Sequence, residues 1–504
     1  MVASLAAAAW PSIAGAEEAP AISLNVPKMP EAEWAREVEA LLKLVDPQVL
    51  YRRVPVPAEK NAWPLWKRAG EVFVQPLDDE VLYEGLGKFL TDETDLADDL
   101  RKRVVDWVGQ NEACRKLVDE GIARGEIEYP RSARSVRLEL AMDEMQIMRN
   151  LGRLKSAHVR VLANQGELAA AFDEAASIIE MGGMLIRSEC LVVDFLVALA
   201  VLNFGAQAAY QTALAPTVTD EQVRAAMEML AKSKVTAKEF QRTQRIEFCR
   251  WFLPLVAGLP RSAGHEKLAA SYVAGEWIQG SKLSERELRE YQRSIRDVAA
   301  LLKEHPNPLD KAATIRLGSQ LLVRRFAESD KPWITRNPQL VNATDDELSA
   351  WPAEVEPDPL VNLNTEGKRE PPRKLSEREL AHARDALRKV DNVLGKRLVQ
   401  EPNDSTFSYD VVERNAARTD ATRLKLAMRH YEKKHGQLPP RLDDLVAAKL
   451  LPEVPQDPYD GGAFKYSRER RVLWCVGREG TNDGVLPDGF ILEGVHLTWR
   501  IGKL

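Results

Sequence analysis

The residues of this chain best suited to bind a ligand lie in a loop near the C-terminus. Gly477, Gly480 and Gly484 allow tight backbone turns there, and Asn482 and Asp483 add side-chain oxygens. Calcium prefers flexible loops that offer several oxygen ligands. Asn482 and Asp483 are therefore the candidate metal ligands, and calcium is the one cofactor that the sequence suggests. The alternative is an Asx turn without metal, because Asn and Asp also bond their own backbone in turns.

A second candidate is a group of carboxylates within the longest predicted helix. Glu139 and Asp143 lie one helical turn apart and could form an acid pair, with Glu144 beside them. Because this helix also carries several arginines, a solvated face with i,i+4 ion pairs explains them without catalysis. The sequence contains no serine-hydrolase elbow, zinc-protease, phosphate-loop or dinucleotide motif. No catalytic residue is predicted, and enzymatic activity stays open because catalytic groups can converge from distant positions.

The seven histidines include no pair at metal-ligand spacing. His158 falls on the apolar side of its helix, which predicts a buried structural imidazole. His430 and His435 lie near the end of another helix, and we expect a solvated last turn that the helix dipole favours.

The four cysteines are far apart and form no CxxC pair, which argues against zinc. In an exported protein they could form one or two disulfides, but their spacing does not give the pairing. The cysteines are Cys114, Cys190, Cys249 and Cys475.

The elements that would position these residues are mostly helical. From about residue 30 to 326 apolar residues recur at helical spacing, most clearly in the stripe Leu140, Ile147, Leu151, Leu154 and Val161. Helices are predicted at 31–45, 79–90, 95–120, 132–164, 167–186, 190–214, 220–232 and 236–252. Short links between them favour antiparallel packing. The fold class is therefore mainly α: a multi-helix bundle or an irregular helical solenoid, followed by a small α+β C-terminal module with a short antiparallel sheet.

This C-terminal module is predicted from its order of elements. A helix ends at His435, a short helix follows near Leu445, and strands are expected at 464–466 and 472–476. Two strands alone are marginally stable, so a third is expected within 489–499.

Composition divides the chain into segments. Residues 344–373 are rich in Pro, Glu, Asp and Asn and form a linker or surface crossing between a helical domain at 17–343 and the remainder at 374–504. The heptapeptide KLSEREL occurs at 282–288 and again at 374–380, each time with a capping box that starts a helix. The two helices are either equivalent in the fold or convergent.

Residues 1–16 are predicted to be a signal peptide. They are uncharged after Met1, rich in alanine, and end in Ala14-Gly15-Ala16, a small-x-small cleavage pattern, although a positive n-region is missing. A disordered alanine-rich tail is the alternative. The protein is thus expected to be exported, periplasmic or extracellular. No transmembrane helix is expected in the mature chain, because the apolar run at 190–202 is short and contains Asp194.

Charge narrows the class of partner. The chain has 504 residues with 70 Lys and Arg, 76 Asp and Glu, and a net charge of −6. This balance of charge, without a basic patch rich in aromatic residues, argues against nucleic acid as a binding partner. A protein partner is expected instead.

Two resemblances add to these interpretations. The order helix, Gly436, short helix, Pro455-Gln456-Asp457-Pro458, two strands and a glycine-rich acidic loop resembles the soluble head of the major pseudopilin of type II secretion. That resemblance implies calcium at Asn482 and Asp483. It covers the C-terminal part alone, and the polar stretch at 406–414 differs from the family's hydrophobic assembly helix. The head would therefore serve as a reused module.

Segments at 61–69 and 148–201, together with the terminal module, are similar to an uncharacterised exported family of planctomycete-like bacteria. This family has no assigned biochemistry. The first functional hypothesis is an exported non-enzymatic helical protein with a role in interaction or envelope architecture. The alternatives are an exported hydrolase with a site assembled from distant residues, and an accessory of a secretion apparatus.

Overall fold

A helical body and a small C-terminal sheet form the structure, a computed structural model. It describes residues 29–75, 98–130, 138–259, 305, 307–337, 378, 381, 385, 389–400, 406–478, 480 and 497–501. The described chain is mainly helical, and a three-stranded antiparallel sheet lies near its C-terminus, which confirms the predicted fold class. The segments 1–16 and 344–373, the predicted helix at 79–90 and almost all of both KLSEREL copies lie outside the described residues.

The helical body follows the predicted order of helices. Its helices are α1 Glu31–Leu42, α2 Trp63–Glu71, α3 Asp98–Gln110, α4 Glu112–Ile122, α5 Leu138–Asn164, α6 Leu168–Arg187, α7 Val192–Ala213, α8 Asp220–Lys232, α9 Ala237–Glu247, α10 Leu253–Gly258, α11 Lys311–Ser329 and α12 Val393–Gln400. The single helix expected at 95–120 is two helices in the structure, because the helix is interrupted at Asn111. The buried amide of Asn111 bonds the backbone of Val74, which fixes this break.

The centre of the body is the packing of α5, α6 and α7 on one another. Leu151, Leu154 and Val161 of the predicted stripe are buried there. Helices α6 and α7 approach very closely at Gly182 and Gly205. A Cβ at Gly182 would lie 2.7 Å from Leu202, and one at Gly205 would lie 2.7 Å from Ile179. Both positions therefore need glycine to let the two helices meet.

Helix α7 is the most apolar element of the described chain. Val192–Ala213 is the one described helix that is long and apolar enough to cross a membrane, with a mean hydropathy of 1.8. In the fold, 61% of that apolar window is buried. The helix starts where Oδ2 of Asp194 accepts a hydrogen bond from the backbone N–H of Leu191 at 2.8 Å.

A separate cluster of apolar side chains holds the N-terminal helix. Here α1 and the following residues pack against α10, α11 and the π-helical turn Phe248–Phe252. Cys249 of this turn accepts a hydrogen bond from the N–H of Tyr51 at 3.4 Å. This contact ties the segment after α1 to the end of α9.

The C-terminal part begins with the long helix α13, Thr406–His435, followed by α14, Asp443–Ala447. Strands β1 Lys465–Ser467, β2 Val472–Trp474 and β3 Thr498–Arg500 form the sheet in the order β1-β2-β3, all antiparallel. Tyr466 pairs with Leu473, which pairs with Trp499. The predicted third strand is thus confirmed, because residues 498 and 499 fall within the expected range.

The apolar side of α13 is covered both by the sheet and by α8. Leu424, Ala427 and Met428 are buried in one hydrophobic cluster that contains Leu473 of the sheet and also Met227 of α8. The terminal module and the helical body therefore share this helix as a common wall.

Candidate functional site

The candidate calcium ligands Asn482 and Asp483 lie outside the described residues. The start of their loop is described: Gly477 and Gly480 both adopt positive φ, at 74° and 66°, as expected for a tight turn. Asp460, an acidic residue before β1, is paired with Lys465 at 2.9 Å and also accepts from the N–H of Gly462. Among the described residues no group of three His, Cys, Asp or Glu side chains could hold a metal ion.

The other sequence candidates are placed in part. Glu139 and Asp143 lie in the first turns of α5, but their side chains are not among those described. All four cysteines are buried, and none of them forms a disulfide. Burial raises the pKa of the Cys114 and Cys249 thiols to about 11 and that of Cys190 to about 12.

The prediction for His430 is wrong, whereas His435 is exposed as expected. The imidazole of His430 is only 5% exposed, because α8 packs against this part of α13. Its Nε2 lies 3.2 Å from Oδ1 of Asp220, the first residue of α8. Burial lowers the pKa of His430, although the Asp220 carboxylate opposes the change.

A buried ionic cluster joins α4, α5 and α6. The ammonium of Lys155 is fully buried and donates to Asp119 and, at 2.9 Å, to Oε2 of Glu174. Oε1 of Glu174 lies 3.0 Å from Nδ1 of His158. Nη1 of Arg115 lies 2.9 Å from both nitrogens of the same ring. The prediction of a buried imidazole on an apolar face is therefore wrong in part, because the His158 side chain is 20% exposed and its neighbours are charged.

The pKa of Glu174 reflects these contacts. Burial alone would raise the pKa of Glu174, but the hydrogen bond from His158 and the charge of Lys155 outweigh burial and hold that pKa below its ordinary value.

The Glu174–His158 pair has the form of a catalytic dyad, in which a carboxylate orients an imidazole. A general base, however, needs an unoccupied nitrogen that faces the proton it removes. In this cluster Arg115 lies against both ring nitrogens of His158, Glu174 lies 3.0 Å from Nδ1, and Lys155 is held between two carboxylates. The arrangement therefore ties three helices together and leaves no free base on His158.

A second buried polar cluster lies where α13 meets both the body and the module. Oδ1 of Asp410 accepts a hydrogen bond from the phenol of Tyr459 at 3.1 Å, and Oδ2 accepts from Nε of Arg414 at 2.7 Å. The adjacent Tyr409 donates to Oε1 of Gln244 on α9 at 2.6 Å. Consecutive residues of α13 thus bond opposite neighbours: Asp410 the module and Tyr409 the body.

The same helix carries a buried ion pair one turn later. Glu413 pairs with Arg336, and their side chains are only 10% and 7% exposed. Burial raises the pKa of Glu413 in spite of the Arg336 charge. Arg336 also donates to the carbonyl of Ser329 at 2.8 Å, which anchors the segment after α11.

Asp457 organises the loop that reaches this junction. Its Oδ1 accepts from the N–H of Tyr459 at 2.9 Å, and its Oδ2 accepts from the N–H of Val476 at 2.8 Å. Burial is the main reason that the pKa of Asp457 is raised. The Pro-x-Asp-Pro sequence therefore has a structural role: its aspartate joins the loop to the end of β2 and orients Tyr459 toward Asp410.

Comparison with known proteins gives no relative for this chain: no family model matches it, and no match was found among curated proteins or solved structures.

Apart from His158, sequence reasoning missed the members of both clusters. Lys155 lies among the buried positions of an amphipathic helix, and Arg336 follows a helix end without any motif. One signal was available: a lysine among buried positions of an amphipathic helix requires a charged partner, because an unpaired buried charge is costly. The partners Asp119 and Glu174, however, come from other helices, so periodicity could not identify them.

Proposed function

We propose that this is an exported, non-enzymatic protein that acts by binding, in interaction or envelope architecture. Its terminal module, which resembles the pseudopilin head, is the part that it presents. The observation that carries the proposal is the position of Asp410. This buried carboxylate has one oxygen bonded to the module through Tyr459 and the other to Arg414 of its own helix.

Two features of the junction support this proposal. Asp410, Glu413 and Asp457 are buried and bonded within the protein, as expected for groups that fix geometry. Helix α13 is covered on one side by the body and on the other by the sheet. A module attached in this way keeps a constant orientation, which lowers the entropy cost of binding.

In-cell photocrosslinking tests the proposal. A photoreactive amino acid would replace Arg468 in the exposed turn between β1 and β2, or Lys67 on the exposed side of α2 as the matched control. We expect one adduct of constant mass from position 468 and none from position 67. The mature N-terminus, read by mass spectrometry of the same sample, should lie at or near Glu17.

Two outcomes would contradict the proposal. The first is retention of intact Met1 on cytosolic protein, which would exclude export. The second is turnover of an ester, peptide or glycoside by the purified protein that a single substitution abolishes. That result would support the hydrolase alternative instead.

A further inference from the structure

A short segment after α11 covers one edge of the terminal module. We name residues 331–336 the strap. The backbone N–H of Trp333 donates to the carbonyl of Pro458 at 3.2 Å, and that of Ile334 donates to the carbonyl of Tyr459 at 3.0 Å. Pro332 lies so close to Gly461 that a Cβ there would be 2.9 Å from its ring. The strap thus docks on the module through backbone donors and a close proline contact.

The docking edge, Pro458–Gly461, offers carbonyl oxygens that accept hydrogen bonds but few backbone N–H donors. Pro458 has no N–H, and the N–H of Tyr459 is already bonded to Asp457. The edge therefore suits a segment with two free consecutive donors. The strap supplies them because Trp333–Thr335 is a short 3₁₀ turn, whose first N–H groups have no partner within the turn.

Trp333 supplies the side-chain contact. The guanidinium groups of Arg336 and Arg478 lie over its ring, at 5.1 and 5.4 Å from the centroid, and the ring of Tyr459 lies 6.3 Å away. Cation–π contact favours a tryptophan over an aliphatic side chain. The edge consequently favours a turn that begins with proline and then tryptophan, and Arg336 three residues later stacks on Trp333 and pairs with Glu413 of α13.

We propose that the edge at Pro458–Gly461 is a peptide-docking edge that the strap occupies in cis. The partner segment has the same chemistry: proline, tryptophan and an aliphatic residue in a short turn, followed by arginine. This inference rests on the proposed binding function and names the class of partner. A strap on the same chain has an effective concentration in the millimolar range, so it acts as an autoinhibitory contact.

Peptide binding to the full-length protein tests the inference. The probe is a fluorescein-labelled peptide of residues 329–337, followed by fluorescence anisotropy. Trp333→Ala weakens the strap and should bind the peptide about tenfold or more tightly than the wild type does, because the cis competitor is lost. The matched control is Trp474→Ala, which removes a partly buried tryptophan stacked on Arg470 and leaves the strap intact. This control should behave as the wild type.

Specificity and folding are controlled separately. A peptide carrying Trp333→Ala should not bind any of the proteins. If the Trp333→Ala protein does not fold, Ile334→Pro is the second variant, since it deletes the donor to Tyr459 at a residue that is 48% exposed.

The inference is overturned if neither strap variant binds the peptide, or if all proteins bind it equally. It is also overturned if the peptide without tryptophan binds as well as the original. If the photocrosslinking experiment gives an adduct at position 468 but no protein binds the peptide, the docking edge is contradicted and the proposed function is not.

Discussion

The phenol of Tyr459 donates a hydrogen bond to the buried carboxylate of Asp410 across 3.1 Å, and this bond links the terminal module to helix α13. The two residues are 49 positions apart in sequence, with the rest of α13 and all of α14 between them. Burial and the Asp410 carboxylate both raise the pKa of Tyr459, so the phenol keeps its proton over the physiological range. The junction is therefore held by a charge-assisted bond in a buried setting.

Removing this bond should destabilise the protein. Tyr459→Phe leaves Asp410 buried with Arg414 alone, and we expect the free energy of unfolding to fall by about 1–3 kcal/mol. Urea denaturation followed by circular dichroism measures the change. Tyr466→Phe is the matched control: its phenol bonds the Pro439 carbonyl in a partly buried site. An equal loss of unfolding free energy in both variants would show that the bond to Asp410 stabilises the protein no more than the bond of Tyr466 does.

The cluster around Lys155 predicts a large effect from one neutral substitution. Lys155→Met leaves the Glu174 carboxylate without its buried ammonium, and we expect a loss of about 3–5 kcal/mol. Lys116→Met removes an exposed i,i+4 pair with Glu112 and should leave the free energy of unfolding close to that of the wild type. Similar small costs in both variants would contradict the buried cluster.

Stability should depend on pH through His430. Its folded-state pKa is lowered, so the unfolded state binds its proton first as pH falls. Stability is therefore lost as pH falls below the ordinary value of 6.5 toward the folded pKa. His430→Gln should flatten the dependence of the unfolding midpoint on pH between about 7 and 5. His435→Gln, at an exposed site, should leave the wild-type dependence unchanged. A steep profile in His430→Gln would assign the effect to another group.

Calcium at Asn482 and Asp483 stays a proposal that thermal unfolding can check. A ligand that binds the folded state alone raises the midpoint by mass action. Calcium should raise the wild-type midpoint relative to chelator, and Asp483→Asn should lose most of that shift. Asp460→Asn, which removes a carboxylate already paired with Lys465, should keep it. A wild-type unfolding midpoint that calcium does not change would contradict calcium binding at this loop.

Much of the fold follows from local sequence signals. The stripe of Leu151 and Leu154 predicts the central helix, and the positive φ of 83° at Gly166 agrees with the predicted stop after it. The break at Asn111 was missed because it depends on a bond to Val74, which no local pattern contains.

The polar clusters could not be predicted in the same way. Their energies depend on which side chains meet after the helices pack, as for Glu413 and Arg336, which are 77 residues apart. His430 shows the same limit: the dipole rule placed it in water, whereas packing of α8 buried it. Periodicity determines the face of a helix, but not the partner that covers it.

The central claim is that buried charged pairs fix helix α13, the wall shared by the module and the helical body, and a double-mutant cycle between Arg336 and Glu413 tests it most directly. Urea unfolding would be measured for the wild type, Arg336→Met, Glu413→Gln and the double variant. We predict a coupling energy of about 1–3 kcal/mol. The losses of unfolding free energy in the two single variants should therefore add up to more than the loss in the double variant. A coupling energy within about 0.3 kcal/mol of zero would contradict the claim.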